Sequence, residues 1–382
     1  MARGRATLAV LMAALLLPAA ANGRAYVPPA GHVFAGLTAG TSTLPWERRV
    51  GKHPPVFEVY MTWNTPTRWL ADRRNTARVR LGVHMSTAQS YGGAGVISPE
   101  EIAVGRSDRF LVEMNHNLAY SQRVVYVRIM GEMNGYWNAY AAYNADGSYR
   151  GAQNSPINYI QAWRRTVLIL RGGQVARINR RLRSQGLPRI KARLHGRKRL
   201  PRPKVAFLWV PQDAGSPDMP QNASWRFWPG RDYADWVGTD FYSSYPNFTL
   251  LNRFYNEFWQ RPFVISEWAV YGSDDPGFVH AMFAWGRSHR RLRMFNYYQG
   301  FTGQSAAYLG RYPASQAALR QELRSPRYLA YAPEYAHPKC HHRKRPPPGR
   351  PPQPPQPGLP PGPPPSPSVP CVPVLGICPP AL

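Results

Sequence analysis

Cysteine is scarce and unevenly placed: Cys340, Cys371 and Cys378 all lie near the C-terminus. No disulfide can therefore brace the body of the chain, and no thiol can serve chemistry there. Acid is scarce too. Twenty Asp and Glu stand against 48 Lys and Arg, a net charge of +28, and there is no carboxylate between Asp146 and Asp213. After roughly the first twenty residues no apolar run approaches the ~20 residues that a bilayer span requires, so no stable membrane span is expected. No glycine-rich phosphate loop follows an early strand, which removes the main signature of a dinucleotide-binding sheet.

Composition sets both ends apart from the rest. Residues 1–23 join Arg3 and Arg5 to an apolar run from Leu8 to Leu17 and then to Ala19, Ala20 and Ala21. This is the layout of a cleaved secretory signal peptide. Residues 338–382 are proline-rich without apolar periodicity and are expected to form an extended, disordered tail. Cys371 and Cys378 could close a small disulfide loop there, leaving Cys340 over; a metal site of Cys340 with His341 and His342 is the less favoured alternative. A secreted protein of this charge is expected to meet anionic wall polymers or lipid head groups, not nucleic acid. The stretch Arg171 to Lys204 is the candidate contact with an anionic cell-wall polymer, against the plainer reading of a solvated basic insertion.

Between these ends, over about 30–332, apolar strands, turn residues and helical stretches alternate. Strands are expected at His32–Ala39, Val56–Trp63, Arg78–Ser86, the opening of Val124–Trp137, Val205–Pro211, Ala234–Tyr242, Pro262–Ala269 and Arg293–Gly300. Ser98 opens a helix, with Pro99 in its first turn and Glu100 and Glu101 at the positive end of its dipole. Another helix runs from about Ile157 to Arg171. Eight strands alternating with helices predict an α/β chain folded as a (β/α)8 TIM barrel. An open doubly wound sheet is the alternative, disfavoured by the missing phosphate loop.

Reactive groups of such a barrel sit at the C-terminal ends of its strands. Those ends carry His84, Glu132, Trp209, Asp240, Tyr242, Glu267, Trp268 and the run Tyr297 to Gln299. Strict alternation puts Arg128, Met130 and Glu132 on one face, and Phe263, Ile265 and Glu267 on another, so that Glu132 and Glu267 share the cavity. Taken alone, Arg128 and Glu132 fit a structural ion pair at a strand end better than a reactive site. A pair of glutamates among aromatic rings is also what glycosidic cleavage requires. One protonates the leaving oxygen while the other stabilises or attacks the anomeric carbon.

Three blocks carry a resemblance: RIMGEMNGYW at 128–137, WRFWPGRDYADWVGTDFY at 225–242 and RPFVISEWA at 261–269. Over about residues 32–300 the chain resembles glycoside hydrolase family 26, the mannanase-like barrels of clan A. The resemblance implies that Glu132 is the general acid/base and Glu267 the nucleophile, with Arg128, Tyr242 and Asp240 in support. It places Asn134 and Trp137 near the bound sugar, and Trp209, Trp268, Tyr297 and His84 complete the expected substrate contacts. The pattern departs at Gly131, where the family has histidine; His84 is the candidate to reach into that space.

The expectation is a secreted, extracellular retaining glycoside hydrolase, monomeric and possessing no metal or organic cofactor. It would cleave internal β-glycosidic bonds of a polysaccharide by double displacement, with its two carboxyl groups about 5 to 5.5 Å apart. Association with a cell wall would follow from the basic stretch and the tail. A non-catalytic glycan-binding barrel and a polyanion-binding protein are the alternatives.

Overall fold

The computed structural model describes residues 25–336, apart from 41, 75–76 and 89–91. The expected signal segment, the proline-rich tail and the three cysteines lie outside the described residues. Eight parallel strands close into a barrel: β1 Val33–Thr38, β2 Val56–Thr62, β3 Arg80–Ser86, β4 Val125–Ile129, β5 Val205–Trp209, β6 Trp236–Tyr242, β7 Phe263–Ala269 and β8 Leu292–Tyr298. Each strand pairs with the next, and β8 returns to β1 in a register running from Phe34 opposite Met294 to Thr38 opposite Tyr298. All eight lie where the sequence predicts, within two residues at their ends, β8 starting one residue earlier than expected. The α/β class and the TIM barrel therefore hold.

The helices around the barrel are α1 Leu44–Val50, α2 Pro99–Ala103, α3 Asp108–Ser121, α4 Pro156–Arg171, α5 Val175–Arg183, α6 Phe248–Glu257, α7 Pro276–Ser288 and α8 Pro313–Glu322. Ser98 and Glu101 form a reciprocal capping box at α2, and Ser155 caps α4 by accepting from the Asn158 amide. No helix among the described residues is long and apolar enough to cross a membrane.

Alternation along the strands divides the apolar residues into two layers. Phe34, Val56, Tyr126, Ala206, Leu208, Trp236, Val264 and Met294 form the inner cluster. Val127, Phe207, Trp209, Phe263, Ile265 and Phe295 face outward and pack beneath the helices. The N-terminal segment seals the floor: Trp236 Nε1 donates to the Ala25 carbonyl and the Tyr126 hydroxyl to that of Tyr26, both at 2.7 Å. Only the C-terminal mouth is left for chemistry. Halfway up, Gly82 makes room for a carboxylate, since a Cβ there would stand 2.8 Å from the Glu58 Cβ.

Two interruptions of alternation correct the expected faces. Strand β4 ends at Ile129, and Met130 turns with φ +43° into the helix-facing core, so it shares no face with Arg128. Glu132, at φ +52°, returns to the mouth through this turn, its amide donating to the Val210 carbonyl at 2.7 Å. On β7 the register against β6 slips between Ile265 and Glu267, where Thr239 and Asp240 are the consecutive partners. A β-bulge at Ser266 thus swings Glu267 inward while Phe263 and Ile265 stay under the helices.

Candidate active site

Three donors converge on Glu267. Arg128 Nη1 reaches Oε1 at 2.5 Å, the Tyr60 hydroxyl reaches the same oxygen at 2.6 Å, and the Tyr242 hydroxyl reaches Oε2 at 2.7 Å. The carboxyl thus accepts three hydrogen bonds, two on Oε1 and one on Oε2. Arg128 is wholly buried and also donates through Nη2 to Asp240, while its Nη1 lies 3.6 Å from Glu58 Oε1. The fixed guanidinium fork holds Glu267 in one orientation.

Glu132 stands above this base. Its Oε2 accepts from Trp137 Nε1 at 2.8 Å, and its Oε1 accepts from the Gln212 amide. Its backbone is pinned by bonds from Gly135 N and Asn138 Nδ2 to its carbonyl at 2.9 and 2.8 Å. Burial pushes the Glu132 carboxyl above its ordinary range, and the negative Glu267 pushes it further. The two glutamates therefore have different surroundings: one is ringed by donors, and the other is biased to hold a proton.

The deeper carboxyls follow from the same charge balance. Burial raises Glu58 to about 7 against the pull of Arg128, and burial also raises Asp240, with Glu267 and Glu132 adding to it. A single buried cation faces Glu58, Asp240 and Glu267. Three full negative charges around it in a low-dielectric space would repel strongly, which biases the raised Glu58 and Asp240 toward their protonated forms.

His84 sits under Gly131. Its Nε2 accepts from the Gly131 amide at 3.2 Å, which leaves the proton on Nδ1, 3.9 Å from Glu267 Oε1. Burial, then Arg128, holds this histidine well below its usual range, so it is neutral. Glycine at 131 has a steric cause: a Cβ there would lie 2.2 Å from Arg128 Nε and 2.8 Å from Cζ. Arg128 occupies the ground beneath that residue.

Of the residues expected from sequence, Arg128, Glu132, Trp137, Asp240, Tyr242, Glu267 and His84 come together at the mouth. Four do not. Trp209 is buried against Trp228 and Phe258 beneath the helices, and Trp268 lies flat on Phe295 at 4.6 Å between centroids. Tyr297 is wedged between Trp46 and Trp268. Each belongs to the outward set of its strand and offers no face to a sugar. Asn134 is fully buried and spends its side chain on the backbone of Gln212 and Ala214, so it positions Gln212 instead of touching substrate.

Sequence reasoning missed Tyr60, Glu58 and Gln212. The first two were accessible from the inward positions of β2, Val56, Glu58 and Tyr60, where a carboxylate and a phenol interrupt an apolar strand. Gln212 follows β5 in a loop whose course no local pattern fixes. Aromatic rings missed at the rim are Phe301, which meets Tyr60 edge-on, and Tyr271, which meets Tyr242; they are 49% and 44% exposed. Such half-exposed rings are suited to stacking on sugar faces.

Glu58, His84 and Glu267 present ligand atoms within 4.8 Å of one another, the spacing of a possible metal site. A divalent ion there would sit against the buried Arg128 guanidinium, which already takes both Glu267 and Asp240. The donor set therefore fits a hydrogen-bonded carboxylate network better than a cation.

The sequence matches no protein-family model and no curated protein. Solved structures do match in fold. An endo-β-1,4-mannanase double mutant from Cellulomonas fimi aligns with TM-score 0.53 at 15% identity, covering 82% of this chain and 74% of that one. A GH26 β-mannanase from Bacteroides ovatus aligns with TM-score 0.51 at 16% identity, covering 82% and 94%. A GH26A protein from a Muricauda species gives TM-score 0.50 at 14% identity, covering 78% and 91%. In fold, then, the chain is a closed (β/α)8 barrel similar to the family 26 glycoside hydrolases.

Proposed function

We propose that the protein is a retaining glycoside hydrolase acting on internal β-linkages of a mannan-like polysaccharide outside the cell. The observation that carries the reading is the contrast between the two glutamates: Glu267 receives bonds from Arg128, Tyr60 and Tyr242, whereas Glu132 is raised by burial and by Glu267 itself. Glu132, bearing the proton, delivers it to the leaving glycosidic oxygen as Glu267 Oε attacks the anomeric carbon. The C–O bond to the leaving sugar breaks and a glycosyl ester forms on Glu267. Glu132, now ionised, takes a proton from water, whose oxygen displaces Glu267 and restores both groups.

Tyr60 and Tyr242 hold the two nucleophile oxygens in fixed directions, and Arg128 neutralises the carboxylate released in the second step. Neutral His84 keeps its buried Nδ1 proton on the side of Glu267, 3.9 Å from Oε1. The fold likeness to proteins described as mannanases supports the polysaccharide class. Assaying wild type and Glu267→Ala on a panel of mannan, xylan, mixed-linkage glucan and cellulose tests the reading. Release of reducing ends by the wild type alone is expected; glycan binding without hydrolysis by both would replace the enzyme with a binding barrel.

A further inference from the structure

The 171–204 segment joins α4 to β5 and carries ten arginines, three lysines and no acid. It is built into the fold and not merely solvated. Helix α5 buries Ile178 and Leu182, and Leu187, Ile190 and Leu200 are buried beneath the segment. The buried Arg165 grips both oxygens of Asp108 at 2.7 and 2.5 Å and donates to the Pro188 and Arg189 carbonyls at 2.8 and 3.1 Å. Asp108 in turn accepts from the Lys191 amide at 2.6 Å. Asn115 Nδ2 ties Leu170 to Pro201 across the base of the segment, at 2.9 and 3.0 Å. Gly173–Gln174 pairs antiparallel with Arg199–Leu200.

This scaffold displays cations. Arg177, Arg180, Arg189, Arg193, Arg197 and Arg199 are exposed, and the segment's only ion pairs among the described residues are Arg171–Asp235 and Arg181–Asp232. Such a concentration of like charge lowers its free energy by gathering an external anion. Its position follows from topology: it connects a helix C-terminus to a strand start, and the Lys204 carbonyl accepts from Val125, the first residue of β4. The two ends of the segment therefore lie at the pole opposite the carboxylate-lined mouth, while its 188–191 stretch packs along the flank beside the start of α3.

Its chemistry selects among polyanions. Residues 171–204 contain no Phe, Trp or Tyr, so nucleic-acid bases have nothing to stack on. The large apolar side chains are buried or half-buried, so none is free to enter a bilayer. Arginine predominates, and its planar fork matches carboxylate and phosphate alike, so that measured affinity separates the two. We propose that this face binds a carboxylate-bearing polysaccharide, anchoring the barrel by its base and flank. The inference goes beyond the catalytic reading and stands without it.

Retention of the full chain on immobilised polygalacturonate along a salt gradient tests it, using two fourfold variants at Arg177, Arg180, Arg193 and Arg197. The glutamine variant is expected to elute at lower salt, with affinity weakened roughly tenfold or more; the lysine variant should fall between it and wild type. Thermal unfolding and polysaccharide hydrolysis should match wild type, and Glu267→Ala should be retained like wild type. Elution of the glutamine variant with wild type overturns the proposal. So does tighter wild-type binding to a sulfated glycan, to anionic phospholipid vesicles or to single-stranded DNA than to polygalacturonate.

Discussion

The two poles of the barrel handle charge in opposite ways. At the mouth, one buried guanidinium is surrounded by Glu58, Asp240 and Glu267 at contact distance, with Glu132 above. Toward the other pole, arginines are spread over an exposed surface with two ion pairs among them. Burial at the mouth raises the Glu58, Asp240 and Glu132 carboxyls and gives every group there a fixed direction, which is what bond cleavage needs. Exposure at the far pole leaves each charge individually weak and screened, so that only their sum matters. Single substitutions should therefore act strongly at the mouth and feebly at the base.

The largest effect expected is that of Glu267→Ala. It removes the attacking oxygen and should lower kcat by about a thousandfold or more, on the scale of removing a group essential to a covalent step, while retention on an anionic polymer stays unchanged. Gly131→Ala comes next. Its Cβ would intrude on Arg128 Nε at 2.2 Å, within the backbone turn between two positive-φ residues. A loss of roughly 2–4 kcal/mol of stability is expected, in the range for overpacking that disturbs a buried charge network, measured by denaturant unfolding. Stability equal to wild type would show that Arg128 has another place to go.

Glu58 sharpens the comparison through pH. It faces Arg128, Glu267 and Ser266, and its carboxyl is raised from 4.5 to about 7 in the folded protein. A raised carboxyl binds its proton more tightly when folded, so its contribution is fully present below 4.5 and is lost as pH rises toward about 7. Glu132 and Asp240 add in the same direction, while His84, held well below its usual range, acts in the opposite one, so the share of Glu58 is read from the difference between wild type and variant. Relative to Glu58→Gln, wild type should lose a few kcal/mol at most across that window, since one pKa unit corresponds to about 1.4 kcal/mol. An unchanged slope in the variant would remove Glu58 from the account. The smallest of these effects belongs to Trp137→Phe, which deletes the bond to Glu132 Oε2. That bond favours the ionised form, so the basic limb of the activity profile should move upward and kcat fall by about tenfold, the typical share of one positioned hydrogen bond.

Much of this was legible in the sequence. The apolar strands, the helix start at Ser98 and the strand-end positions of Glu132 and Glu267 all follow from local pattern. What failed was the choice of face. In a parallel barrel both faces of a strand are buried, so Trp209 and Tyr297 look as suitable as Tyr60 until helices cover one side. Alternation also breaks where it matters most: the bulge at Ser266 and the turn at Met130 deliver both glutamates, and neither leaves a signature in composition. Glu267 was assigned to the mouth correctly, but by a parity argument that the bulge contradicts. Gly131, which looked like a lost functional residue, is explained by the course of Arg128, a contact visible only in three dimensions.

The central claim is that Glu267 attacks and Glu132 supplies and recovers the proton. Proton NMR of the first sugar released from a susceptible β-linked polysaccharide tests it most directly. The account predicts that the β-anomer appears first and only later equilibrates by mutarotation. First release of the α-anomer would mean direct attack by water and would contradict the role given to Glu267.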